Sequence, residues 1–237
     1  MPRKGTARAV VTTPTEHAAS PALPRPQALA DAVYEALLQK LLSLEIKPEE
    51  RIGVDDLARR LGVSQTPIRE ALTRLEAHGL VGKTHLVGYR AAPQLSAEQF
   101  EQLYEARVQL EPFVAEKAAR LIDKAALDRL GAMLEEILTV RGNDTDVLMR
   151  TAQVDSDFHR TIAAASGNQV ISRMLDALQV QVQFTLLRRH SAPIDVRPAT
   201  REHQRVLGAL RKRDGKGAAA LMREHLAASR ERYWPQR

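Results

Sequence analysis

The chain of 237 residues contains no cysteine. That excludes a disulfide framework and every zinc module built on thiolates, and it is compatible with a reducing cytosol. Aromatic residues make up only 4% of the chain, and runs of β-branched residues are few. Leu, Ala, Arg and Glu dominate instead, which favours helices packed through aliphatic ridges. No apolar run approaches the roughly 18 residues that a membrane helix needs. Arg3, Lys4 and Arg8 are followed only by Ala9-Val10-Val11, too short for a secretory apolar segment. A soluble, cytoplasmic protein with no membrane partner is expected.

The net charge of +6 invites a nucleic-acid reading, so its location matters. Residues 1–26 carry four basic residues, one acidic residue and five prolines. They read as a disordered basic tail that adds at most non-specific phosphate attraction. Residues 27–95 carry nine charges of each sign and are neutral overall. Charge alone therefore argues little for DNA, and any such claim rests on a motif.

The motif lies in Val54 to Leu80, which reads as two short helices joined by a tight turn. Asp55 or Asp56 is placed to cap the first helix. Leu57, Ala58 and Leu61 share one face, and Gly62 suits the left-handed residue that ends it. Val63 is suited to plug the angle between the helices. Ser64 caps the second helix, and Pro67 falls in its first turn, where a missing N–H has no intrahelical partner. Ile68, Ala71, Leu72 and Leu75 make the buried face, and Gly79 closes the helix. The other face presents Gln65, Thr66, Arg69 and Thr73, with Ser64 at its start. Amide, hydroxyl and guanidinium groups near the N-terminus of a braced helix suit the DNA major groove.

The run LARRLGVSQTPIREALTRLEAHGLV resembles the winged helix-turn-helix of the GntR family of bacterial transcription regulators. The resemblance implies a winged DNA-binding domain over residues 27–93 and double-stranded operator DNA as partner. It also implies a homodimer matched to an inverted repeat. LVGKTHLVGYRAA, after Gly79, gives two short extended runs around a polar turn and stands where the family has its wing. Family members usually have Arg before the wing glycine. Here Val87 precedes Gly88, which leaves Lys83, His85 or Arg90 as candidates for the wing contact. Upstream, a helix from Gln27 to about Ile46 is predicted, stopped by Lys47-Pro48.

Pro93-Gln94-Leu95 links to a second region, residues 96–232, opened by Ser96 as an N-cap. Six helical patterns follow, at about 97–122, 124–140, 145–166, 168–190, 197–213 and 215–232. Asp123, Gly142, Gly167-Asn168, Pro193, Pro198 and Asp214-Gly215 separate them. A mainly α protein is expected, a winged helix-turn-helix followed by an antiparallel six-helix bundle, the two having separate cores. Pro112 predicts a kink near Glu111.

Polar residues on apolar faces single out a site. Asp155 and His159, one turn apart, share a face with Leu148 and Ile162. His203 lies on the stripe of Thr200, Val206, Leu207 and Leu210. His225 lies on that of Ala218, Leu221 and Met222. Each histidine alone reads as a satisfied core residue. Four such groups aimed at one core are costly unless paired, and imidazoles with a carboxylate are what a divalent transition metal prefers. Zinc is the first choice, with nickel, manganese or iron open. No inward Glu or Asp beyond this set is placed as a general base, since Glu202 and Glu224 project about 100° from the histidines they adjoin.

Residues 96–237 resemble the helical ligand-sensing FCD domain of the FadR subfamily. Asp155-Ser-Asp-Phe158-His159, Glu202-His203, His225-Leu226 and the AASGN run ending at Asn168 carry that likeness, and six helices point to its VanR-like branch. The resemblance implies that Asp155, His159, His203 and His225 hold the metal beside a small carboxylic acid effector. Arg107, in the R-x-x-L-E pattern, either holds that acid bidentately or pairs internally with Glu111 one turn on. The expected function is a transcription regulator whose operator affinity follows an organic acid. The alternatives are a metal-dependent enzyme in the bundle and a sensor of the metal itself.

Overall fold

In the computed structural model, residues 26–84, 88–140, 144–189 and 195–234 are described. The expected tail apart from Pro26, and His85 and Val87 of the wing, fall outside them. Helix α1 (Pro26–Leu42) buries Val33, Tyr34, Leu37, Leu38 and Leu41 on one side. It ends four residues earlier than expected. Leu44 turns to φ 60°, and the Ile46 amide reaches back to the Lys40 carbonyl at 3.0 Å. The chain thus reverses by local backbone bonds before Lys47-Pro48 can act.

Strand β1 (Arg51–Ile52), helices α2 (Val54–Leu61) and α3 (Gln65–Ala77), and strands β2 (Val81–Thr84) and β3 (Gly88–Ala91) follow. The sheet is antiparallel in the order β1-β3-β2, with Arg51 opposite Arg90 and Lys83 opposite Tyr89. A strand of two residues has no alternation to read, so β1 carries no sequence signal. Neither aspartate caps α2. Gly53 is its N-cap, and Asp55 and Asp56 lie in the first turn, favourable to the positive end of the helix. Ser64 does occupy the N-cap of α3, in extended backbone, but its hydroxyl makes no capping bond. Ile68, Ala71, Leu72 and Leu75 of α3 are wholly buried, as their spacing predicts.

Gly62 and Gly79 end α2 and α3 in left-handed backbone, φ 65° and 70°. A Cβ at Gly62 would meet nothing within 4 Å, whereas one at Gly79 would stand 2.5 Å from Gln181 Nε2. Gly62→Ala should therefore cost only the backbone term, about 1–2 kcal/mol. Gly79→Ala should cost that and the displacement of Gln181. Urea midpoints check this, and equal losses would mean that the Gln181 contact contributes nothing.

The bundle comprises α4 (Ala97–Leu121), α5 (Lys124–Thr139), α6 (Asp144–Ala165), α7 (Gln169–Arg189), α8 (Arg197–Arg211) and α9 (Gly215–Tyr233). Short polar side chains set most of the starts. Ser96 and Gln99 form a reciprocal capping box, and Asp123 and Asp214 accept from the amides of Ala126 and Gly217. Asn168 Oδ1 accepts from the Ile171 amide at 3.2 Å, next to Gly167 at φ 72°. The AASGN run thus ends α6 and starts α7. Helix α4 continues through Pro112, whose ring forgoes the bond to the Val108 carbonyl. It packs along α9 and against α6, while α5 packs on α8 and α6 on α7.

A cluster around Leu130, Phe158 and Leu210 lies wholly within the bundle, but the two regions are not divided throughout. One apolar cluster runs from α1, α3 and the sheet into the bundle through Phe100, Tyr104, Leu148, Val180, Phe184 and Leu187. Among the described residues, no helix is long and apolar enough to cross a membrane.

Candidate metal centre and DNA-reading helix

Helices α6, α8 and α9 carry the four predicted metal-site residues to one point. Asp155, His159, His203 and His225 are all buried, and a donor atom from each lies within 4.8 Å of the others. His225 Nε2 is 3.2 Å from His159 Nε2 and 3.1 Å from His203 Nε2. Asp155 Oδ1 stands 3.5 Å from His203 Nε2 and has no hydrogen-bond partner. Phe158, wholly buried, stacks on the His203 ring at 4.2 Å between centroids and fixes its plane.

The protonation pattern follows from the outer partners. His225 Nδ1 faces Glu202 Oε2 at 2.8 Å. An ionised carboxylate only accepts, so Nδ1 carries the proton and Nε2 keeps its lone pair. His159 Nδ1 lies against Glu111 Oε2, although the two are not aligned as a good hydrogen bond. Burial first, and then the neighbouring imidazoles and Arg107, push His203 and His225 well below the ordinary histidine range. His225 Nε2 thus has a lone pair available to accept a hydrogen bond from a neighbouring imidazole or to bind a cation. Donors about 2.1 Å from one divalent ion stand roughly 3.0–3.4 Å apart. The residues fit such an ion.

Two expectations need correction. Glu202 does project away from His203 on its own helix, but α9 brings His225 to it, and Arg232 holds its other oxygen. Glu111 is a further inward carboxylate, 2% exposed, and it touches His159. The R-x-x-L-E pattern had shown it only as a partner for Arg107.

That pair exists. Arg107 Nε donates to Glu111 Oε1 at 2.6 Å, and both residues are buried. Burial alone would raise the Glu111 carboxyl, but Arg107 and then His159 overcome this and hold it well below the usual carboxylate range. The pair uses only one edge of the guanidinium. Arg107 Nη1 and Nη2 are buried without a partner, and so is Gln179 Oε1 from α7. Tyr104 lies under the guanidinium at 4.8 Å, and burial pushes its hydroxyl up to about 12.

On α3, Ser64, Gln65, Thr66, Arg69 and Thr73 are all exposed on the face away from the core. Gln65, Arg69 and Thr73 are tied together. Gln65 donates to Asp55 Oδ1 at 2.5 Å, Arg69 donates to Gln65 Oε1 at 3.2 Å, and Thr73 donates to the Arg69 carbonyl at 2.9 Å. Of the candidate wing residues, Arg90 donates to the Glu49 carbonyl at 2.9 Å, and Lys83 lies over the Tyr89 ring. Arg51, which the sequence did not single out, sits opposite Arg90 across the sheet. Like charges so placed are unfavourable without an anion nearby. Arg51, Arg59, Arg69 and Lys83 line one groove between α2, α3 and the wing, beside Asp55 and Asp56. A neutral segment has gathered cations on one side.

Comparison with known proteins follows the same division. Residues 102–228 match the FCD domain family, and residues 29–90 match the bacterial regulatory proteins of the gntR family. The HTH-type transcriptional regulator LutR of Bacillus subtilis (strain 168) is 28% identical, over 77% of this chain and 90% of its own. The HTH-type transcriptional repressor GlaR of Escherichia coli (strain K12) is 28% identical, over 81% and 90%. The solved structure of E. coli McbR/YncC has the same fold, with a TM-score of 0.69 at 23% identity over 87% and 99%.

Proposed function

The chain belongs to the GntR family of bacterial regulatory proteins and carries an FCD domain, so it is a transcription regulator and not an enzyme, and we propose that its operator affinity answers to a small carboxylic acid bound beside a divalent metal. Residues 27–93 form the DNA-binding domain in this reading, and 96–232 form the sensing domain. Asp155, His159, His203 and His225 hold the metal, with zinc the first choice and nickel, manganese or iron open. A bound divalent ion supplies a positive centre with open positions for an oxygen ligand.

The observation that carries the reading is the free edge of Arg107, two buried N–H donor groups with no acceptor. Charge points the same way. Counted formally with neutral imidazoles, Arg107, Glu111 and Asp155 sum to one negative charge. A divalent ion turns that into one positive charge, and a monocarboxylate cancels it, which favours the pairing in a buried site. A sensor of metal alone has no use for a guanidinium held open in this way. DNA affinity measured by anisotropy with metal alone, then with metal plus a series of carboxylic acids, tests the proposal. A response complete with metal alone would select the metal sensor.

The regulator is proposed to act as a homodimer on an inverted repeat. Phe113 and Leu121 of α4 and Val170 and Met174 of α7 are large, apolar and about half exposed, on adjoining faces packed through Val114 and Leu175. A second copy seated there would cover them. Met174→Glu should turn a dimer into a monomer in sedimentation at micromolar concentration and weaken binding to a two-half-site duplex. A variant that sediments like wild type would remove this face as the interface.

A further inference from the structure

Glu111 touches both halves of the proposed sensing centre. Its Oε2 meets His159 Nδ1, and its Oε1 accepts from Arg107 Nε at 2.6 Å. The same Oε1 also accepts from Gln179 Nε2 on α7 at 3.1 Å. Two residues further along α7, Gln181 Nε2 donates to the carbonyl of His78, the C-cap of α3. Positions i and i+2 of a helix point about 200° apart. Helix α7 thus shows one amide to the sensing centre and the next to the end of the DNA-reading helix.

Both contacts are tightly held. Gln179 and Glu111 are almost wholly buried. Gln181 fills the space beside Gly79 so closely that a Cβ there would collide with it. His78 is held from its other side by the Tyr34 hydroxyl at 2.8 Å, which ties α1 to the same corner. Val180 and Phe184, between and beyond the two glutamines, belong to the apolar cluster shared with α1 and α3.

We propose that Glu111 joins the metal-binding histidine and the anion-binding arginine to α7, and that α7 carries the state of the centre to the C-terminal end of α3 through Gln181. The proposal rests on the metal-and-acid reading above for what changes at the centre. The chain's own residues supply the rest. Any change in how strongly His159 or Arg107 holds Glu111 changes the bond left for Gln179. A close-packed helix passes such a shift on as a body rather than absorbing it. Gln181 then moves against His78, and the reading helix moves with it. Glu111 is a positioning residue here, and so is Gln181.

Hydrogen exchange on the full chain tests this without a known effector or operator. The amides of His78, Gly79 and Leu80 bond to the carbonyls of Arg74, Glu76 and Leu75 and report on that corner. Glu111→Gln should change their exchange by at least about threefold, with the α5 amides unchanged. Gln181→Leu should change them too, and Glu111→Gln should add nothing in the Gln181→Leu background. Wild-type exchange at residues 78–80 in Glu111→Gln, or effects that multiply in the double variant, would overturn the proposal. Should Glu111→Gln fail to fold, Gln179→Met replaces it in the same cycle and leaves the buried charge pair intact. Equilibrium dialysis with zinc is run alongside. Absence of uptake sinks the metal reading, while the cycle still decides the role of α7.

Discussion

His203→Ala should abolish metal uptake and, with it, the response of DNA affinity to a carboxylic acid, in a protein that still folds. His203 Nε2 is one of three imidazole nitrogens crowded within about one ligand–ligand distance, and its loss opens the cluster on the α8 side. Loss of an outer-shell partner typically costs about 10–100-fold in metal affinity, so loss of a ligand should cost more. Folding should survive because one buried large-to-small change costs about 2–5 kcal/mol, within the stability of a typical domain. Circular dichroism and urea titration check that. Arg107 variants separate the two halves of the site. Arg107→Ala should keep the metal and lose most of the affinity for the acid. It also strands Glu111, and breaking a buried pair costs about 3–5 kcal/mol, a large share of a typical domain's stability. Arg107→Lys is the cleaner variant, since it keeps the charge and loses the fork. Protein that contains no metal, takes none up on dialysis and yet responds to an acid would show the four residues to be a hydrogen-bonded core cluster.

The second large effect is at the DNA. Arg69→Ala should weaken operator binding by about 5–150-fold, the range of one good guanidinium contact. Stability should change by less than about 0.5 kcal/mol, because the side chain is exposed and holds only Gln65. The salt dependence separates two roles. A phosphate contact should lower the slope of log K against log salt by about one per arginine. A guanine contact should instead relax base preference at one position of a duplex selected from a random library. Gln65→Ala should alter preference at an adjoining base and also free Arg69, because Gln65 links Arg69 to Asp55. Wild-type affinity in Arg69→Ala would remove it from the reading set.

Much of this protein was legible without coordinates because its signals are local. The buried stripe of α3, the left-handed glycines after α2 and α3, and the caps Ser96, Asp123 and Asn168 depend on residues within one or two turns. The inward direction of Asp155, His159, His203 and His225 depends only on helical period, and all four are buried. Where a local rule misled, another local bond had won. The Ile46-to-Lys40 bond ended α1 early, and Gly53 took the cap offered to the aspartates.

What only the tertiary structure decided are meetings between distant segments. The period of α8 rightly aims Glu202 away from His203, but it cannot say that His225 of α9 lies in that direction. Glu111 read as one arginine's partner because the sequence shows its own helix and not α6 or α7 beside it. β1 exists because β3 pairs with it, and Arg51 faces the groove for the same reason. The apolar cluster that joins α3 to the bundle has no sequence signature, since each helix shows only that it has a face to bury. A sequence encodes which faces are apolar and where each helix stops. Which face meets which is settled by the packing of all of them at once, and there Glu111, Glu202 and Arg51 acquire their partners.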